Sequence, residues 1–453
     1  MAKTLEEKMC KYSLGYAFVR SFFATPVFTF FYRNIRVIGA EKVPDKGQVI
    51  FTPNHQNALM DAICILRTKN RQPVFVARAD IFQKPVIAKI LIFLRILPIY
   101  RKRDEVNTAD NNQETFDILL KVLHHGLAVG IMPEGTHNKT KHLRVLQKGV
   151  FRLAMQAQEK YGNSPGVKIV PVGIDYSDTR KVRSDVIINY GKAIEMSDFY
   201  DLYVENQAKA FKLLQNTLSE KMKEGMIDIE NEEFYNEIER ISVFYEKRAI
   251  QRLGMNPREA STLLHVRQRI IAAIQKLAEQ DHETMAGLCA LIKEYVAIIE
   301  KHNFRDWVIE RQPYSFAGLF LRSLLAIPGI PFWILGMLSN YLPYKLCSLG
   351  SRKIKDPQFV SSVQFVLSLI LFPVYYLIMI ILMIIFIPNI WGILVLVALL
   401  IPFGLFAFKY YIAIKKLNAR FRFWCGKRRK NVELLKAIGL RKSIFEKLDE
   451  IVC

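Results

Sequence analysis

Disulfide and zinc signatures are missing from this chain. Its six cysteines (Cys10, Cys64, Cys289, Cys347, Cys425 and Cys453) are scattered over 453 residues, with no C-x-x-C pair and no run of short spacings. That argues against a disulfide framework and a structural zinc site, and it indicates a reducing compartment. Cys453 sits in no prenylation signal. Acidic residues are few, 42 against 64 basic ones, for a net charge of +22. Such an excess suits either nucleic acid or an anionic membrane with anionic substrates. No zinc finger or RNA-module signature accompanies it, and much of it lies beside apolar segments, as in Arg420, Arg422, Lys427, Arg428, Arg429 and Lys430. Phospholipid headgroups are the expected partner, and nucleic acid is not.

Charge of either sign disappears from residues 323–344 and 357–408. With 51% hydrophobic residues and a positive mean hydropathy, the chain is expected to have a membrane component. The first uncharged segment carries Pro328, Gly329, Pro331 and Pro343, so a broken or re-entrant segment is as good a reading as a straight span. The second has the length of two spans, with a turn at Pro388-Asn389, and predicts a helix hairpin over 361–408. Lys345, Arg352, Lys353 and Lys355 precede this hairpin, and Lys409, Lys415 and Lys416 follow it. Under the positive-inside rule both ends face the cytoplasm, which is where the catalytic domain is expected. Near the N-terminus, residues 11–32 are aromatic-rich but interrupted by Arg20 and Pro26, and no small-residue cleavage site follows. Within residues 1–34 this predicts a helix lying in the membrane interface, or alternatively one packed on the protein core.

Residues 35–200 alternate short apolar strands (49–53, 74–77, 97–100, 127–133, 167–174, 186–190) with helices (58–67, 84–94, 110–124, 150–161). This is the pattern of an α/β domain, a buried sheet flanked by helices. Residues 201–312 become charged and helical, with helix-spaced apolar positions over 258–280 and 283–301, and read as a helical accessory region without chemistry. A membrane region (313–412) and a basic cytoplasmic tail (413–453) complete the expected order.

Where the first buried strand runs into a helix, His55 stands at the junction with Asp61 just beyond it. An imidazole there can take a proton from a hydroxyl while a carboxylate orients it; a helix-capping pair is the other reading. Three later clusters accompany this pair. Leu97 to Arg103 brings Arg101, Lys102 and Arg103 to the end of a short strand, as an anion site at a sheet edge requires and as a solvated loop also would. Pro133-Glu134-Gly135-Thr136-His137, followed by Lys139, Lys141, Arg144 and Lys148, offers close backbone approach, a hydroxyl and cations for a phosphate, or simply a glycine turn. Ile169 to Gly173 carries no reactive group and shapes a wall.

In order and approximate spacing these four clusters resemble the four blocks of the glycerolipid acyltransferase superfamily, which acylates glycerol 3-phosphate, dihydroxyacetone phosphate and 1-acylglycerol 3-phosphate. The resemblance covers about the first 200 residues. The helical insert and Pro-rich C-terminal region look more like the larger yeast-type enzymes. It implies a glycerol-phosphate acyltransferase-like sheet followed by a helical region and C-terminal transmembrane helices. His55 would be the general base that deprotonates a glycerol hydroxyl for attack on an acyl thioester, with Asp61 as its partner. Arg101, Glu134, Gly135, Thr136, His137, Lys141 and Arg144 would hold the phosphate. Acyl-CoA or acyl carrier protein would be the co-substrate, with no metal, no redox cofactor and no acyl-enzyme. The alternatives are an acyltransferase for another lysolipid or an amino-acid lipid, and a lipid-binding membrane protein that has lost catalysis.

Two departures from the family pattern bear on the site. Five residues separate His55 from Asp61, where the family blocks usually have four, and His137 stands where they usually have arginine. An extra residue inside a helix would swing Asp61 about 100° away from His55. With Asn57 as N-cap and a helix from Ala58, the addition is expected in the loop instead. Lys139, Lys141 or Arg144 would replace the missing guanidinium at His137.

Overall fold

The computed structural model describes residues 2–68, 71–100, 108–162 and 166–453. Two compact units make up the chain: one runs to Asp228 and also includes Ile354–Phe365, and the other comprises Ile229–Lys353 and Val366–Cys453.

The first unit begins with helices α1 (Ala2–Cys10), α2 (Leu14–Val19) and α3 (Thr25–Phe31), the last two joined by a π-helical turn at Arg20–Ala24. Strands and helices then alternate: β1 (Asn34–Ile38), β2 (Val49–Pro53), α4 (Leu59–Thr68), β3 (Val74–Arg78), α5 (Pro85–Phe93), β4 (Ile96–Ile99), α6 (Thr108–His124), β5 (Ala128–Gly130), α7 (Gly149–Tyr161), β6 (Lys168–Tyr176), β7 (Asp185–Tyr190) and β8 (Ile194–Glu195). Helices α8 (Tyr200–Glu205) and α9 (Gln207–Gly225) follow. The eight strands form one sheet in the order β1-β7-β6-β2-β5-β3-β4, with β8 on β6. Among the described residues, only the β6 pairings with β7 and β8 are antiparallel. Strands of a mostly parallel sheet are covered on both faces, so they read as apolar runs; every residue of β2 is buried, as is β6 after its first residue.

The topology creates the site. From β2 the chain passes to β3 on one side, and from β5 it passes to β6 on the other, yet β2 and β5 are neighbours. Connections that leave in opposite directions open a crevice at the carboxyl ends of those strands. The alternation predicted from sequence is present, with differences besides the unpredicted short strand β8. The edge strand β1, interrupted by Arg36, carries no clear apolar pattern. Strand β5 stops at Gly130, because Met132 and Pro133 already belong to the turn at the crevice. Helix α6 begins at Thr108, ahead of Asp110.

In the second unit α10 (Tyr235–Phe244), α11 (Glu246–Arg252), α12 (Thr262–Gln280), α13 (His282–Lys301) and α14 (Asp306–Glu310) precede the apolar helices α15 (Phe316–Ala326) and α16 (Ile330–Ser351). Helix α17 (Val360–Phe386) starts in the first unit, and α18 (Ile390–Arg428) and α19 (Val432–Val452) close the chain. A short turn at Ile327–Gly329 containing Pro328 separates α15 from α16. Among the described residues, four segments are long and apolar enough to cross a membrane: Leu14–Phe31, Phe316–Ser351, Pro357–Phe386 and Ile390–Arg428. Close approach of α16 and α18 depends on Gly336, where a Cβ would come within 2.1 Å of the Phe403 carbonyl oxygen. Small residues serve helix contacts in apolar surroundings in this way.

Candidate active site

His55 leaves the end of β2 on a loop fixed at both flanks. The buried Asn54 amide spans onto β6, its oxygen accepting from the Ile174 amide at 2.7 Å and its nitrogen donating to the Ile174 carbonyl at 3.0 Å. The His55 main-chain N–H donates to Glu134 Oε1 at 2.8 Å, and its carbonyl accepts from the Asn138 amide at 2.8 Å. With the backbone held, the ring turns Nδ1 to within 2.9 Å of Asp61 Oδ2. Nε2, on the other side of the ring, is left as the atom that can exchange a proton with a substrate.

The six-residue step from His55 to Asp61 is therefore accommodated in the loop. Helix α4 starts at Leu59, one residue later than expected, and Ala58 takes a left-handed conformation (φ 43°) that turns the chain into the helix. Asp61 is consequently in the first helical turn and fully buried, where the helix N-terminus favours a carboxylate. Its Oδ2 also accepts from the amides of Gln56 (3.0 Å) and Asn57 (2.8 Å), and Oδ1 accepts from the Tyr176 hydroxyl at 2.7 Å. A buried carboxylate needs such a set of donors.

Asn57 is not the N-cap of α4. Its side chain accepts from the Ser361 hydroxyl at 2.6 Å, and the first helical amide, that of Leu59, donates instead to Ser362 Oγ at 3.2 Å.

Glu134 stands beside His55 as a brace more than as a surface ligand. It is buried, and Oε2 accepts from the Arg144 amide at 3.2 Å while Oε1 holds His55. Burial raises its pKa above the usual 4.5, and the two amide hydrogen bonds oppose that rise. Gly135, at φ 68°, makes the turn that only glycine takes without strain, its amide donating to the Met132 carbonyl at 3.1 Å. Thr136 and Arg144 are exposed and joined, Arg144 Nη1 donating to Thr136 Oγ1 at 2.8 Å.

Of the other residues named from sequence, His137 stacks on His55 with ring centroids 4.0 Å apart, and the edge of Phe359 meets it at 4.9 Å. Lys141 is turned inward: its ammonium is 2.5 Å from the buried Asp175 carboxylate and donates to the Tyr176 carbonyl at 3.1 Å. Its charge is paired with Asp175. Arg101 lies outside the described residues. The structure thus brings together His55, Asp61, Glu134, Gly135, Thr136, His137 and Arg144. Sequence reading missed Tyr176, one pair of residues past the apolar run of β6, and Ser361, Ser362 and Phe359, which no local signal marks. Among the described residues no cluster of three or more His, Cys, Asp or Glu side chains is gathered for a metal.

Residues 34–175 match the family model described as Acyltransferase. The 1-acyl-sn-glycerol-3-phosphate acyltransferase of Borreliella burgdorferi is 26% identical over 209 residues, which span 46% of this chain and 73% of that protein. Glycerol-3-phosphate O-acyltransferase 1 of Saccharomyces cerevisiae is 22% identical over an alignment covering 77% of this chain but only 59% of the yeast protein. A crystal structure of the 1-acyl-sn-glycerophosphate acyltransferase of Thermotoga maritima is 18% identical, covering 49% of this chain and 78% of that one, with a TM-score of 0.33.

Proposed function

We propose that this chain, an acyltransferase of the glycerolipid acyltransferase superfamily through residues 34–175, is a membrane-bound enzyme that moves a fatty acyl group from acyl-CoA or acyl carrier protein to glycerol 3-phosphate or 1-acylglycerol 3-phosphate. The observation that carries this reading is the 2.9 Å contact of His55 Nδ1 with a buried Asp61. It directs Nε2 to act as the base.

In this reading Nε2 takes the proton of a glycerol hydroxyl as its oxygen attacks the thioester carbonyl. The tetrahedral intermediate collapses with loss of the C–S bond, and the imidazolium returns the proton to the departing thiolate. Asp61 keeps the ring oriented and stabilises its charged form. No metal or redox step enters the scheme, and the thioester is a co-substrate. Arg144, joined to Thr136 on the exposed side of the Glu134 turn, supplies a guanidinium for the acceptor phosphate, with Arg101 as the second expected cation. The four apolar segments support attachment to a bilayer, and the basic residues that flank them support a cytoplasmic catalytic face.

Side-by-side assay of the membrane-embedded protein with glycerol 3-phosphate, dihydroxyacetone phosphate and 1-acylglycerol 3-phosphate, each with labelled acyl-CoA and acyl carrier protein, tests the reading. Acyl transfer to glycerol 3-phosphate or its 1-acyl derivative supports it. Absence of transfer to all three, from protein shown to be folded, refutes it.

A further inference from the structure

The buried start of α4 is completed from a part of the chain about 300 residues away. Ser361 and Ser362, both buried, stand in the first turn of α17, within the same compact unit as the sheet. The Ser362 hydroxyl oxygen accepts from the Leu59 amide, an orphan donor of the helix start that the residues ahead of α4 leave without a side-chain acceptor. The Ser361 hydroxyl donates to the Asn57 side-chain oxygen, and the Asn57 amide nitrogen reaches the Thr179 carbonyl at 3.4 Å. Two residues earlier, Phe359 sets its edge against the His137 ring, which stacks on His55. Three contacts from one short stretch therefore meet the loop at its histidine stack, at Asn57 and at the helix start.

What they hold is a loop in an unfavourable conformation. Ala58 is left-handed, and Asp61 accepts from the Gln56 and Asn57 amides only while residues 56–58 keep that turn. A non-glycine residue in that conformation is strained and persists where surrounding contacts enforce it.

We propose that Phe359, Ser361 and Ser362 are positioning residues for the candidate base: through Asn57, Leu59 and His137 they keep Asp61 in register with His55. The root of the apolar helix α17 is thereby part of the acyl-transfer site. This inference rests on the acyltransferase reading for its kinetic consequence and on geometry alone for its structural one, so the two are tested separately.

The experiment compares the full-length, membrane-embedded parent with a Ser361→Ala/Ser362→Ala variant, the conservative Ser362→Thr variant and His55→Ala. Hydrogen exchange of the peptide spanning residues 54–62 is read alongside kcat and the acceptor KM. The double variant is expected to exchange faster in that peptide by about tenfold, with β6 peptides unchanged. Its kcat is expected to fall between about 10- and 100-fold, the scale of an ångström-sized misplacement, at an unchanged acceptor KM. Ser362→Thr, which keeps the hydroxyl acceptor, is expected to restore most of the rate. Unchanged exchange in the double variant overturns the clamp, whatever the activity. Faster exchange at the parental kcat overturns the coupling to catalysis. A parental rate in His55→Ala refutes the base assignment and with it the kinetic half, leaving exchange to decide the clamp.

Discussion

The crevice at the end of β2 and the helices α16 to α18 handle polarity in opposite ways. In the crevice, charged and amide groups are buried and each is answered: Asp61 has four donors, Glu134 two amides, Lys141 the Asp175 carboxylate. Along the helices, large apolar side chains such as Leu377, Ile381 and Trp391 are exposed, and Asn340 is paired within the bundle: it donates to the Leu400 carbonyl and accepts from the Tyr376 hydroxyl. An exposed apolar surface of that extent calls for lipid around it, whereas a buried carboxylate calls for donors. One region is specified by pairing and the other by its solvent.

The contrast is broken most severely by removing a charge where pairing is complete. Asp61→Asn keeps the shape but loses the charge and one of the two acceptor oxygens that serve the His55 ring, two amides and the Tyr176 hydroxyl, and is expected to lower kcat by roughly 10³-fold with the fold retained, measured by initial rates and circular dichroism. The reverse change adds a charge where none is paired. Leu377→Arg in α17 is expected to cost about 3 kcal/mol of insertion free energy, read as a reduced membrane-integrated fraction with folding of the sheet unchanged. A milder test probes the exposed edge of the crevice: Arg144→Ala is expected to raise the KM for a phosphate-bearing acceptor about tenfold with little change in kcat.

The smallest effect concerns Glu134. Because burial raises its pKa above 4.5 in the folded chain, the folded state keeps this proton to a higher pH than the unfolded state. Its contribution to stability is fully present below 4.5 and is lost as pH rises through the raised value. Glu134→Gln is expected to lack that decline, seen by comparing the pH dependence of the two thermal midpoints.

Sequence reading succeeded where one element carries its own signal. The apolar runs of β2 and β6, the periodicity of α12 and α13, and the His55 to Asp61 pairing are all local properties. The extra residue between His55 and Asp61 does fall in the loop, but the reason read from sequence, an N-cap at Asn57, does not hold, because Asn57 accepts from Ser361 and α4 starts at Leu59. What stayed hidden depends on contacts between distant residues. The pairing of Lys141 with Asp175 is invisible until the fold sets them together, and Tyr176 looks like the end of a strand until Asp61 is placed beside it. The serines of α17 look like ordinary small residues of an apolar helix; only the fold sets them against the start of α4.

The account turns on His55 as the base. The most direct measurement is the acyl-transfer rate of purified, folded His55→Ala in membranes, with labelled thioester and the preferred acceptor. A fall of roughly 10²- to 10⁴-fold is predicted, and transfer at the parental rate would contradict the account.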